Sequence, residues 1–123
     1  MILAISVGCA GALGAVGRYI MDGAVQDRTR GVLPLVTLAV NVTGSLVIGL
    51  VAGIVLFHHV GPTARTIVGT GFCGGLTTWS TASWETLRLG EDGSLAAGIL
   101  NAIGGLAASL VAAGLGLALA AVL

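Results

Sequence analysis

The chain is 123 residues long, and apolar side chains dominate its composition, since 56% of its residues are hydrophobic and only 8% are charged. A soluble domain is usually about one quarter charged, so this composition predicts an integral membrane protein. The formal net charge is zero and lysine is absent, which leaves no basic patch for nucleic acid and excludes that class of partner. The few polar residues supply no set of nucleophile, base and orienting group, so we do not expect an enzyme.

Four stretches are long enough to cross a bilayer at about twenty apolar residues each. They cover residues 2–21, 33–57, 63–89 and 95–122, with most of the charged residues in the short segments between them. The first stretch lacks the basic start of a signal peptide, so we expect a retained helix. The sequence therefore predicts one all-α transmembrane domain over residues 1–123, with both termini on the same side of the membrane.

Glycine recurs at helical spacing within these spans. The repeats are Gly8, Gly11, Gly14 and Gly17 in the first span and Gly49 and Gly53 in the second. Small residues allow membrane helices to approach closely, so we expect most of the 21 glycines to serve helix packing. Arg18 and Glu85 lie near span ends, where long charged side chains usually extend to the membrane surface.

Polar residues form stripes on the second and fourth spans. Thr37, Asn41 and Ser45 share one face of the second span, and Asn101 and Ser109 lie two turns apart in the fourth. An unpaired amide is costly in lipid, so Asn41 and Asn101 are expected to face protein or water. A single hydroxyl in a span usually bonds a neighbouring helix, whereas facing stripes beside a broken helix favour a shared hydrophilic path.

The third span is interrupted by residues 71–83, Gly-Phe-Cys-Gly-Gly-Leu-Thr-Thr-Trp-Ser-Thr-Ala-Ser. Backbone groups without partners cost several kcal/mol in hydrocarbon, so a broken helix is kept where it lines a cavity or an ion site. We expect the break near residues 74–78, with Gly74 and Gly75 supplying its unusual backbone angles. The freed carbonyls suit a hard cation such as Na⁺, and the hydroxyls and one tryptophan ring edge suit an anion.

Residues 71–85 resemble the third-helix motif of the CrcB/Fluc fluoride channels, which usually reads Gly-Phe-Cys-Gly-Gly-Leu-Thr-Thr-Phe-Ser-Thr-Phe-Ser-x-Glu. The resemblance continues in Gly-x-x-Gly-Arg-Tyr at residues 14–19 and in Pro-Leu-x-Thr-Leu-x-Val-Asn-x-x-Gly at residues 34–44. It extends more weakly through Asn101 and Ser109, and so covers nearly the whole chain. It implies a four-helix subunit of an antiparallel dimer with two pores, which exports fluoride passively across the cell membrane, here expected to be that of a bacterium.

The resemblance also implies roles for individual residues. The backbone carbonyls of Gly74 and Thr77 would hold a central Na⁺ between two subunits. Arg18 matches a vestibule residue, and Glu85 matches the acid that ends the motif. The implied fluoride path comprises Asn41, Thr78, Trp79, Ser80, Thr81, Ser83 and Ser109.

Three positions depart from the family pattern. The two phenylalanines whose ring edges line the pores are Trp79 and Ala82 here, and a tyrosine often found in the fourth span is Gly105. An alternative to a conducting subunit is therefore a non-conducting structural partner in a heterodimeric fluoride channel. A small multidrug-type transporter is a remote alternative, because that class needs a carboxylate in its first helix and residues 2–17 contain none.

The arginines are distributed unevenly between the two membrane faces. Arg18, Arg28, Arg30 and Arg88 flank one face and Arg65 flanks the other. Basic residues prefer the cytoplasm, so this bias predicts external termini and one fixed orientation. Opposed copies of a single chain need nearly unbiased charge. The partner is therefore expected to be a homologous sister subunit of opposite bias, with a second copy of this chain as the alternative.

Overall fold

A computed structural model describes residues 1–26, 33–58 and 60–123 of the chain. Within these ranges the chain is helical and contains no β-strand. The orientation prediction rests partly on Arg28 and Arg30, which lie outside the described residues.

The helices follow the predicted spans closely. In chain order the elements are α1 (Ile2–Gln26), α2 (Leu35–Phe57), α3 (Pro62–Arg65), the π-helical segment π1 (Thr66–Cys73), α4 (Gly74–Leu76), α5 (Trp79–Glu91), α6 (Leu95–Ile99), the π-helical segment π2 (Leu100–Gly104) and α7 (Gly105–Val122). The prediction of four helical spans with a broken third span is confirmed. The first two spans are α1 and α2, the third runs from α3 to α5, and the fourth runs from α6 to α7.

Length and hydropathy identify membrane-crossing helices directly. Among the described residues, the stretches Ile2–Ala24, Leu35–Phe57 and Leu95–Val122 are each long and apolar enough to cross a bilayer. Large apolar side chains cover the outside of the subunit; Leu13, Ile103 and Leu110 are each 65–66% exposed. A soluble monomer rarely exposes so much continuous apolar surface, so these side chains meet lipid or another subunit. The chain is a multi-pass membrane protein.

Helix α2 packs most extensively against α7, and glycines allow the two backbones to touch. A methyl group added at Gly49 would fall on the Ala113 carbonyl oxygen, and one added at Gly116 would fall on the Leu46 carbonyl oxygen. Close backbone approach of this kind gives dispersion contacts that hold helices together where lipid removes the hydrophobic driving force. The predicted packing role of Gly49 is confirmed by this contact.

A second close pair joins α1 to the first half of the third span. A methyl group at Gly14 would fall on the Phe72 carbonyl oxygen, and one at Gly75 would fall on the Gly11 carbonyl oxygen. Gly8, by contrast, has no atom within 4 Å of the position a methyl group would take. The glycine repeat of the first span therefore serves packing at some positions within the subunit and not at all of them.

The break in the third span lies between α4 and α5, at two threonines. Thr77 has φ −79° and ψ 160°, and Thr78 has φ −147° and ψ 118°, so both are extended. Gly74 is helical, with φ −62° and ψ −35°. The expectation that Gly74 and Gly75 supply unusual backbone angles is wrong, because any residue adopts the angles of the break. Gly75 is needed for a different reason, since only a residue without a side chain lets α4 touch α1.

Two glycines of α7 provide a test of the packing between α2 and α7. In Gly116→Ala the new methyl group would meet the Leu46 oxygen and lie 2.7 Å from the Leu50 nitrogen. Overpacking of this kind costs about 1–3 kcal/mol. We expect the thermal unfolding midpoint of the detergent-purified protein to fall by roughly 3–10 °C. The matched control is Gly114→Ala, where no atom lies within 4 Å of the added carbon. Equal midpoints for the two variants would contradict this packing.

Candidate functional site

The polar stripes of three spans meet in one groove of about 650 Å³. Helix α2, the break with α5, and the fourth span form its walls. Its polar lining residues are Thr37, Asn41, Ser45, Thr77, Thr78, Trp79, Ser83, Thr86, Asn101 and Ser109. Most of the remaining lining is aliphatic, so the groove presents a line of polar groups between apolar walls.

A second cavity of about 350 Å³ lies on the other side of the break. Arg18 and Asp22 of α1 line it, together with Thr81 of α5. Thr37 and Thr78 line both cavities and so stand between them. Ser80 is exposed and lines neither cavity. The structure thus divides the predicted fluoride path, because Thr81 and Ser80 do not share the groove that contains Ser83 and Ser109.

The side chain of Asn41 pairs with the backbone of the break. Its Nδ2 donates to the Thr78 carbonyl oxygen at 3.0 Å, and the Thr78 amide donates to Asn41 Oδ1 at 2.8 Å. Asn41 therefore faces protein as expected, and one of its two Nδ2 protons remains for another acceptor.

The hydroxyl of Thr78 caps the start of α5. The Thr81 amide donates to Thr78 Oγ1 at 3.2 Å, and Thr78 Oγ1 donates to Thr81 Oγ1 at 2.9 Å. Ser80 Oγ lies 3.3 Å from Thr78 Oγ1. A hydroxyl has one proton. The Thr78 proton is used within the cap, whereas Thr81 accepts a bond there and keeps its own proton.

The carbonyls of Gly74 and Thr77 lack the hydrogen-bond donors that a continuous helix would give them. In a continuous helix the Thr78 amide would donate to the Gly74 carbonyl, but here that amide donates to Asn41. The Thr77 amide and hydroxyl both donate to the Cys73 carbonyl, at 2.9 and 2.8 Å. The Thr77 carbonyl accepts a long bond of 3.4 Å from Arg18 Nη1.

Arg18 and Glu85 both face the protein interior. Arg18 contacts the break as described, and Glu85 Oε1 accepts a 2.8 Å bond from Thr37 Oγ1. Glu85 Oε2 is buried and has no hydrogen-bond partner within the described part of the chain. Polar atoms of the break and of α2 thus lie within reach of both charged groups.

The wall formed by α5 and π2 contains a network that sequence reasoning missed. Thr86 Oγ1 donates to the Ala82 carbonyl at 2.8 Å, and Asn101 Nδ2 donates to Thr86 Oγ1 at 2.9 Å. Ser83 Oγ donates to the Trp79 carbonyl at 2.9 Å. The signal available for Thr86 was its place one turn after Ala82, on the face that already carries Ser83.

Two departures from the family motif line the groove. Ala82 contributes only a methyl group, and Gly105 has no side chain. Trp79 lines the groove too, but its side chain is 76% exposed. Positions 82 and 105 therefore place no ring in the groove, and most of the Trp79 indole is exposed.

Comparison with known proteins agrees with this architecture. The family model described as CrcB-like protein, Camphor Resistance (CrcB), matches residues 5–117. Fluoride-specific ion channel FluC 1 of Leifsonia xyli subsp. xyli is 47% identical over 116 residues, covering 94% of this chain and 85% of the relative. FluC 1 of Streptomyces avermitilis is 49% identical over 105 residues, covering 85% of each chain. FluC 2 of Haloarcula marismortui is 47% identical over 109 residues, covering 89% of this chain and 86% of the relative. The chain belongs to the CrcB family.

Proposed function

We propose that this chain is a subunit of a fluoride-selective ion channel that lets fluoride leave the cell passively. The observation that carries the proposal is the family match over residues 5–117, with relatives named as fluoride-specific channels at 47–49% identity. The groove beside the broken third span supports it, because it brings polar groups from three spans together at membrane depth. An ion channel family is not an enzyme class.

Proton counting divides the predicted fluoride donors into two groups. Fluoride is small and strongly hydrated, so its path must offer hydrogen-bond donors in place of water. Asn41 keeps one Nδ2 proton, Thr81 keeps its hydroxyl proton, and Ser109 has no hydrogen-bond partner among the described residues. The protons of Thr78 and Ser83 are already donated to Thr81 and to the Trp79 carbonyl. We propose Thr81 and Ser109 as direct fluoride donors, and Thr78 and Ser83 as support for the break.

A flux measurement tests the channel proposal. Purified protein reconstituted into liposomes should release fluoride much faster than chloride, because donors spaced for a small anion fit a larger one poorly. An ion-selective electrode records both anions, with protein-free vesicles as the control. Comparable fluoride and chloride fluxes would rule out a fluoride-selective channel.

We also propose a Na⁺ ion between two subunits, held by the carbonyls of Gly74 and Thr77. Sodium prefers oxygen ligands, and the Gly74 carbonyl has lost its helical donor to Asn41. Gly74 is exposed, and no atom lies within 4 Å of the position an added methyl group would take, so this face is open toward another subunit. No three His, Cys, Asp or Glu side chains gather as a metal site in the described ranges, so a cation here would depend on backbone oxygens.

Sodium dependence of assembly tests this site. A ligand at one hundred times its dissociation constant stabilises the protein that binds it by about 2.7 kcal/mol. Replacing Na⁺ by N-methylglucamine should therefore lower the thermal midpoint of the dimer. Gly74→Val should abolish the difference by blocking the partner's approach. Gly90→Val is the control, because Gly90 also has no neighbour within 4 Å. If the thermal midpoint of the wild type is the same with and without Na⁺, the proposed cation site is wrong.

A second candidate function is a structural partner whose sister subunit supplies the pore aromatics. The open groove at Ala82 and Gly105 favours it, as does the outward position of Trp79. The proposed partner is a homologous chain in antiparallel orientation, and a second copy of this chain is the alternative.

Restoring the phenylalanines separates the two functions. The double variant Trp79→Phe with Ala82→Phe places ring edges, which carry positive potential, along the groove. If this chain alone conducts poorly, we expect the double variant to raise its fluoride flux by about tenfold, equivalent to ~1.4 kcal/mol. Trp79→Phe with Ala82→Leu is the matched control, because leucine fills the same space without a ring edge. Full flux from the unaltered chain by itself would contradict the structural-partner function.

A further inference from the structure

The break in the third span has an unusual relation to α2, since a single side chain binds both backbone groups of one residue. Asn41 Nδ2 and Oδ1 pair with the carbonyl and the amide of Thr78, at 3.0 and 2.8 Å. An extended residue presents its own N–H and C=O on the same side, as in the hydrogen-bonded pairs of an antiparallel sheet. The Asn41 side chain therefore makes the two hydrogen bonds that a neighbouring β-strand would make.

We propose that Asn41 is a positioning residue that holds the third span open at Thr78. Asn41 would act on the pore indirectly, by fixing the backbone of the break. Thr77 and Thr78 set the direction of the carbonyls proposed to bind the cation, and they set where α5 begins. This role goes beyond a contact between Asn41 and fluoride. Only the flux measurement depends on the proposed channel function. The hydrogen bonds of Asn41 and their effect on stability do not depend on it.

Asparagine is the side chain that suits this position. It offers a donor and an acceptor side by side at the length that Thr78 requires. A serine hydroxyl donates and accepts through a single oxygen atom, and an ionised aspartate can only accept. Backbone groups left without partners at membrane depth are costly, so a residue that satisfies two of them at once has a large effect on whether the break persists.

The packing around Asn41 keeps the amide in place. Val40, its neighbour in α2, is 1% exposed. Gly44 lies one turn further along α2, and a methyl group there would fall on Thr77 Cγ2. Asn41 and Gly44 thus bring α2 against both residues of the break. If α2 and the third span moved apart, these contacts would be lost.

Substitutions at Asn41 remove known parts of this pairing. An ionised aspartate accepts from the Thr78 amide but has no proton for the Thr78 carbonyl, so Asn41→Asp keeps one of the two hydrogen bonds. Leucine has a similar size and no polar atoms, so Asn41→Leu removes both. A positioning role therefore predicts a graded loss of stability, whereas a direct fluoride contact predicts a loss of flux without one.

The experiment compares wild type, Asn41→Asp and Asn41→Leu at neutral pH. Each purified full-length protein is measured for thermal midpoint in detergent and for fluoride flux in liposomes, net of protein-free vesicles. We expect both variants to lose at least about tenfold in flux, which corresponds to ~1.4 kcal/mol, and to unfold at a lower midpoint than wild type, with the larger fall in Asn41→Leu.

Two outcomes would overturn the proposal. One is an Asn41→Leu protein that matches wild type in both midpoint and flux. The other is a pair of variants that keep the wild-type midpoint and have no flux, which would assign Asn41 to direct fluoride contact. If the wild type by itself passes no fluoride, as the structural-partner function expects, the midpoints alone decide the role of Asn41.

Discussion

A helix that breaks inside a membrane exposes backbone groups to a solvent that cannot bind them, and most of the polar chemistry of this subunit answers that constraint. Asn41 satisfies both groups of Thr78, and Arg18 approaches the Thr77 carbonyl. The Thr78 hydroxyl caps the helix that follows. Several of the most polar side chains at this depth are thus engaged with the backbone, and only their remaining protons are available to an ion.

The same constraint explains where close packing is concentrated. Side chains of α1 and α2 can bind the free backbone groups of the break only if both helices lie within one side-chain length of it. Gly75 lets α4 touch α1, and Gly44 leaves room for Thr77 against α2. The pair of α2 and α7 is then locked by Gly49 and Gly116, which fixes the wall of the groove opposite the break. Small residues and polar residues therefore act together, the first by allowing approach and the second by using it.

The arrangement around the break gives each side of the third span a different character. The larger groove holds Asn41, Ser83 and Ser109 between aliphatic walls, and the smaller cavity holds Arg18 and Thr81. The Arg18 guanidinium shares the smaller cavity with the Asp22 carboxylate, whereas the polar groups that line the groove are neutral.

The sequence by itself determined the membrane class, the four spans, the presence of a break in the third span and the family, because these depend on local composition and on one continuous motif. The tertiary structure decided what the polar residues do. It placed the break on two extended threonines rather than on Gly74, and it turned Arg18 and Glu85 inward. The partners that decide these outcomes lie far apart in the chain, 37 residues for Asn41 and Thr78 and 59 for Arg18 and Thr77. A hydrogen bond depends on distance in space, which a pattern along the chain does not encode until the helices are packed.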